Sequence, residues 1–116
     1  MAAVGDDCLF CRIVSGEIPA DIVAETEDAV AFRDLNPQAP VHVLVVPRLH
    51  VPDAAGLADE APETVAALVS WGRQVASHEG HDSYRLVFNT GGDAGQTVFH
   101  AHLHVLAGRS MSWPPG

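Results

Sequence analysis

The chain has 116 residues and 12.3 kDa, with 47% hydrophobic and 18% charged residues. Against a usual domain of roughly 100–200 residues, this leaves room for one domain over residues 1–116 with a real core, and excludes a two-domain enzyme and a disordered polypeptide. There are 15 acidic against 6 basic residues, all of them Arg, and the resulting net charge of -9 argues against nucleic acid or an anionic membrane as partner.

Met1 to Asp7 lack the basic start and long apolar stretch of a secretion signal. No apolar run approaches the roughly 18 residues of a membrane span, so a cytoplasmic protein is expected. Cys8 and Cys11 form a Cys-x-x-Cys pair, which in a reducing compartment suggests a metal or redox site more than a disulfide. From Asp6 onward a short helix is expected, ended at Gly16, with Pro19 imposing extended backbone before the first strand. Residues 22–25 and 29–34 read as two strands joined by a hairpin turn at Thr26-Glu27-Asp28.

Pro37 and Pro40 stiffen the loop over residues 36–40. The run Val41-His42-Val43-Leu44-Val45-Val46, closed by Pro47, predicts a central strand covered on both sides. Around Pro62 the period changes: Val65, Leu68, Val69, Gly72, Val75 and Ala76 recur on one face of a long helix that Gly80 stops. Trp71 beside Leu68 and Val75 widens that face enough to suggest a partner subunit. Residues 84–90 predict a strand, residues 91–95 a glycine-rich loop, and residues 98–106 a last strand. The fold class is α+β, a five-stranded antiparallel sheet with one long helix and a short N-terminal helix.

In that last strand His100, His102 and His104 would share one face, while Phe99, Ala101, Leu103 and Val105 line the other. A lone half-buried imidazole needs only a hydrogen bond; three in strict alternation need a chemical explanation. At a rise of about 3.3 Å per residue, His100 and His104 lie about 13 Å apart, so one metal ion cannot hold all three. The remainder are left for general acid–base or nucleophilic work.

His100-Ala101-His102-Leu103-His104-Val105-Leu106 resembles the His-x-His-x-His motif of the histidine triad superfamily of nucleotide hydrolases and transferases. The likeness extends to Ile18-Pro19-Ala20, residues 32–40, Val46-Pro47-Arg48-Leu49-His50, Asn89, Gly95-Gln96-Thr97 and the ending over residues 108–116. Trp113-Pro114-Pro115-Gly116 is similar to the tail of the Hint branch, and the resemblance covers the chain from Cys8 onward.

The resemblance implies the HIT-like fold and a phosphoramidase that cleaves a P–N or related bond at the α-phosphate of a purine nucleoside conjugate. His102 would be the nucleophile, since a neutral imidazole nitrogen can attack phosphorus through a phospho-imidazole intermediate if its other nitrogen is held as N–H. His104 and Thr97 would donate to phosphate oxygens, beside Gly95 and Gln96, with Asn89 as an orienter. Asp34 would hold the ribose hydroxyls, unless it only caps the proline-rich loop, and Phe10, Ile13, Phe32 and Leu35 would clamp the base, unless they are ordinary core. Cys8, Cys11, His50 and His100 match the ligands of zinc-bearing members, which moves His100 from catalysis to structural zinc. No P-loop, dinucleotide turn or carboxylate cluster for magnesium is present, so no magnesium requirement is expected. A homodimer is implied, with Trp113 reaching the other subunit's site. Alternatives are a non-catalytic nucleotide- and zinc-binding interaction module, a dinucleoside polyphosphate hydrolase, or a thiol redox protein resting on the cysteines alone.

Overall fold

A computed structural model describes residues 8–115. The expected features at Met1 to Asp7, and Gly116 of the tail, lie outside the described residues. The elements in chain order are α1 (Leu9–Val14), β1 (Ile22–Glu25), β2 (Ala29–Arg33), β3 (Val41–Pro47), α2 (Ala54–Glu60), α3 (Pro62–His78), β4 (Tyr84–Val87) and β5 (Leu103–Ala107), with a 3-10 turn at Gly92–Ala94. The five strands form one antiparallel sheet in the order β1-β2-β3-β5-β4.

Side-chain parity divides the core between the two faces of this sheet. Ala29, Ala31, Val41, Val43, Val45, Leu103, Val105 and Ala107 point to one face, where they meet Leu57 of α2 and Leu68, Val75 and Ala76 of α3. Val30, Phe32, Leu44 and Val46 point to the other, where they meet Cys8 and Phe10. All seven residues of β3 are buried, as expected of a strand covered on both sides. His42 has the parity of Leu44 and Val46, so it faces the α1 side.

The long helix follows its periodicity, with Pro62 at its start and Gly80 beyond its end at φ 91°, a left-handed conformation that costs a residue without Cβ little. Gly72 lets it approach the sheet, since a Cβ there would stand 2.8 Å from Leu86 Cδ2 and 3.2 Å from Leu103 Cδ2. The face expected to seek a partner is partly used within the chain. Leu68 and Val75 are buried against the chain's own sheet and Trp71 packs on the same core, leaving Val69 exposed.

Three further departures bear on the site. The last strand begins at Leu103 and not at residue 98, because residues 98–100 bend and Ala101 donates to the Val51 carbonyl at 2.7 Å. Phe99, expected beside Leu103 and Val105, is therefore 53% exposed. The strand expected over residues 84–90 ends at Val87, so Asn89 lies beyond it. Helix α2 is additional, opened by Asp53, whose Oδ1 accepts from the Gly56 N–H at 2.9 Å.

Candidate active site and metal cluster

The expectation that three histidines line one strand face gives way to a division of labour. Only His104 stands in β5; His100 lies on the bend and His102 in the segment between bend and strand. His102 and His104 remain neighbours, with ring centroids 5.0 Å apart, and both line a cleft of about 280 Å³ on the α1 side of the sheet. His100 lies behind, fully buried, beside Cys8 and His50.

Backbone carbonyls set two of the three tautomers. His102 Nδ1 lies 2.7 Å from the His100 carbonyl, which can only accept, so Nδ1 carries the proton and Nε2 keeps its lone pair. That is the state a nucleophile at phosphorus requires. His100 Nε2 lies 2.7 Å from the Pro47 carbonyl by the same logic, which leaves the Nδ1 lone pair facing the cysteines.

Burial lowers the His102 pKa below its ordinary value, and burial with the nearby His102 and His42 lowers His104 to about 4. His100 is likewise lowered to about 4, first by burial. Between the ordinary value of 6.5 and about 4, the unfolded chain binds protons at His100 and His104 that the folded chain excludes. Their contribution to stability is therefore complete above pH 6.5 and is lost as pH falls towards 4. Thermal unfolding should accordingly move to lower temperature on acidification from pH 7 to pH 5, and a midpoint constant over that interval would contradict it.

The cleft gathers most of the residues that the resemblance singles out. Phe10 and Ile13 enter from α1, Phe32 from β2, Asp34 and Leu35 from the segment after it, and Gly95 and Thr97 from the loop opposite. Phe10 and Phe32 are both buried, ring to ring at 5.6 Å edge-on, so they are core and cleft wall at once. Leu35 is 98% exposed and forms rim. Asp34 does cap its loop, accepting the Asn36 N–H on Oδ1 at 2.8 Å, while Oδ2 stands 3.5 Å from His42 Nε2.

Three expected residues lie apart. Gln96 is buried and works within its loop, accepting from the Gly91 N–H at 2.9 Å and donating to the Pro52 and Val98 carbonyls. Asn89 lies beside the same loop, where a Cβ on Gly95 would stand 3.8 Å from its Nδ2. Trp113 is 83% exposed and does not line this chain's cleft. A wider depression of about 740 Å³ beside β4, lined by Tyr84, Arg85 and Arg109 among others, holds none of the triad.

Behind Phe10, the ligand atoms of Cys8, Cys11, His50 and His100 all lie within 4.8 Å of one another. Cys8 Sγ is 3.3 Å and Cys11 Sγ 3.5 Å from His100 Nδ1; Cys11 Sγ is 3.2 Å and His100 Nδ1 3.1 Å from His50 Nδ1. These spacings approach the edges of a tetrahedron with metal–ligand bonds of about 2.0–2.3 Å, and the His100 tautomer already offers its lone pair. The donor set fits a metal ion. Burial and the neighbouring Cys8 push the Cys11 thiol up to about 11, the reverse of the lowered pKa a thiol redox nucleophile needs.

His42 is the residue that sequence reasoning passed over. Its Nε2 lies 2.9 Å from His104 Nδ1 and its Nδ1 accepts the Gln38 N–H at 3.0 Å. A polar residue at the parity of Leu44 and Val46 in an otherwise apolar strand was the available signal.

The HIT domain family matches residues 15–111. An uncharacterised HIT-like protein of Synechocystis is 46% identical over 114 residues, covering 97% of this chain and 100% of that protein. A HIT family hydrolase from Legionella pneumophila superposes with a TM-score of 0.90 at 46% identity, over 95% of this chain and 100% of its own. A Zn-bound histidine triad family protein from Mycobacterium smegmatis superposes with a TM-score of 0.79 at 39% identity, over 90% of this chain and 77% of its own.

Proposed function

This chain belongs to the HIT domain family, and from that premise we propose that it is a hydrolase of purine nucleoside 5′-phosphoramidates working through a nucleotidyl-His102 intermediate. The observation that carries the reading is the His102 Nδ1 contact with the His100 carbonyl at 2.7 Å, which leaves an unprotonated Nε2 on a residue that lines the cleft. His102 Nε2 bonds to the α-phosphorus as the P–N bond breaks, its electron pair leaving with the amine, which takes up a proton. Water then attacks phosphorus, loses a proton and releases His102 together with nucleoside monophosphate.

Phe10, Ile13, Phe32 and Leu35 hold the base, and Asp34, whose Oδ1 caps its loop and whose Oδ2 stands 3.5 Å from His42 Nε2, takes the ribose hydroxyls. Thr97, Gly95 and His104 face the phosphate from the cleft wall, with Gln96 holding their loop and Asn89 beside it as an orienter. With a net charge of -9 the chain does not attract anions at long range, so affinity rests on these short contacts. Rapid-quench reaction with a substrate radioactive at phosphorus should trap acid-labile label on the protein. A chain that binds nucleotide but never carries label or releases product would be a binding module instead.

The metal at the Cys8, Cys11, His50 and His100 cluster is proposed to be zinc, since two thiolates and two imidazoles form a closed set suited to it and a relative is Zn-bound. When bound, it fixes structure and performs no chemical step. A homodimer is proposed as well, on the family resemblance and on β4 being a sheet edge, where Arg85 donates to the carbonyl of Ser112, the residue before Trp113, at 3.0 Å. Sedimentation at micromolar concentration should give twice 12.3 kDa, and a clean monomer would remove this part of the reading.

A further inference from the structure

The segment that follows β5 is tied to the loop over residues 36–40 by one side chain. Arg109 Nε donates to the Gln38 carbonyl at 2.8 Å, and its Nη1 donates to the Ser110 carbonyl at 3.1 Å. In a chain with 15 acidic and only 6 basic residues, that is a selective use of a cation. Arg12, Arg33 and Arg48 each meet a carboxylate, whereas Arg109 has no carboxylate partner among the described residues. From Gln38 the bonds continue inward. The Gln38 side-chain Nε2 donates to the Asn36 carbonyl at 3.0 Å, and the Asn36 N–H donates to Asp34 Oδ1 at 2.8 Å. We propose that Arg109 is a positioning residue for the nucleotide, which acts through Gln38 and Asn36 to present the Asp34 carboxylate to the ribose hydroxyls.

Backbone holds the near end of this loop, since the Asp34 N–H donates to the His42 carbonyl at 3.0 Å. The Asp34 side chain still turns about its own bonds, and the Asn36 N–H selects one orientation by engaging Oδ1. That N–H keeps its aim only while Asn36 holds its backbone angles. Pro37 brings no N–H of its own, so it falls to the Gln38 amide to pin the Asn36 carbonyl from the other side. The Gln38 N–H is taken by His42 Nδ1 at 3.0 Å, which leaves the Gln38 carbonyl, on the solvent side, to Arg109. A charged donor suits that exposed place, because its hydrogen bonds are stronger than those of a neutral one. Gly108 lets the root of the tail close on the same loop: a Cβ there would stand 3.0 Å from Pro40 Cβ. Each Asp34 oxygen has more than one lone pair, so accepting the Asn36 N–H leaves the carboxylate able to accept from a ribose hydroxyl as well.

The effect on binding rests on the reading of Asp34 as the ribose ligand, but the relay of bonds does not. Amide hydrogen exchange on the metal-loaded, nucleotide-free protein should show the Asn36 N–H exchanging roughly three- to tenfold faster in Arg109→Met than in the unaltered chain. Calorimetry with a purine nucleoside 5′-monophosphate and with its 2′,3′-dideoxy counterpart reads the consequence. Arg109→Met should weaken the ribonucleotide by roughly three- to tenfold and the dideoxynucleotide by less than about twofold. Gln38→Ala, which removes an exposed side chain and the middle link while leaving Arg109 its carbonyl, should give the same selective loss. In an Asp34→Ala background Arg109→Met should cost nothing further. An equal loss for both nucleotides, a loss that persists without Asp34, or Asn36 exchange that neither variant changes would show Arg109 to be a fastening of the tail alone, and overturns the proposal. A ribose preference present in the unaltered protein and untouched by Arg109→Met overturns it too and leaves the nucleotide reading standing; absence of that preference in the unaltered protein removes both.

Discussion

His102→Ala is expected to cut turnover of a nucleoside 5′-phosphoramidate by roughly 10³-fold or more, while nucleoside monophosphate binds with little change. The expectation follows from where His102 sits. Its ring forms part of the cleft wall, stacked edge-on against Phe10 at 4.8 Å, and its Nδ1 is committed to the His100 carbonyl at 2.7 Å. Alanine removes the attacking nitrogen and leaves Asp34 and the apolar wall in place, so loss should fall on kcat. Asp34→Ala should show the opposite division, raising KM with a smaller effect on kcat, because Asp34 lines the cleft as a hydrogen-bond acceptor and touches no reacting bond. Steady-state kinetics with nucleoside monophosphate affinities from calorimetry separates the two. A His102→Ala protein with near-normal turnover would remove the covalent route.

The elements most legible in the sequence are those whose pattern is set by one dominant force. The β-branched run ending at Pro47 and the periodic stretch from Pro62 each bury a continuous surface, and apolar spacing reports that directly. Helix α2 is silent by the same criterion: only Leu57 of its seven residues is buried, too few to establish a period. The segment over residues 98–102 resembles a half-buried strand in sequence because His alternates with apolar residues, yet the strand starts only at Leu103. What stops the strand is competition from outside the segment. His100 is drawn towards Cys8, Cys11 and His50, and Ala101 bonds to Val51 instead of to a strand neighbour.

The site divides along a similar line. Residue types with few uses, such as paired cysteines and alternating histidines, were visible as chemistry from their spacing and from the resemblance. Gln96 was visible as part of the motif but not in its place, since a buried amide with three partners supports the loop from behind. His42 was invisible because its meaning depends on a cross-strand neighbour 62 residues away and on the direction of one peptide N–H.

Removing the metal is the perturbation expected to reach furthest through the molecule. Protein purified without chelator should contain about one zinc per chain, and chelation should lower the midpoint of thermal unfolding by roughly 10–20 °C, the scale of a few kcal/mol in a domain this small. Unfolding of the whole chain is not expected, because the α3 face of the sheet has its own core of Leu57, Leu68, Leu103 and Val105, remote in composition from the cluster. The damage should concentrate at α1. That helix has only six residues, and its N-cap is Cys8 itself, whose Sγ accepts the Cys11 N–H at 3.3 Å. Phe10 lies between the two cysteines and packs edge-on against His100 at 6.2 Å and His102 at 4.8 Å, so loosening α1 removes one wall of the cleft. His100 connects the two sites a second time, since its ring faces the cluster while its carbonyl holds the His102 proton. Chelated protein should therefore bind nucleoside monophosphate more weakly as well as melt earlier, and Cys8→Ser should reproduce both effects without chelator. Measured together, metal content, melting and affinity decide the matter: metal-free protein with freely titratable thiols, an unshifted midpoint and unchanged affinity would mean that two cysteines and two histidines have been brought together without a metal to hold.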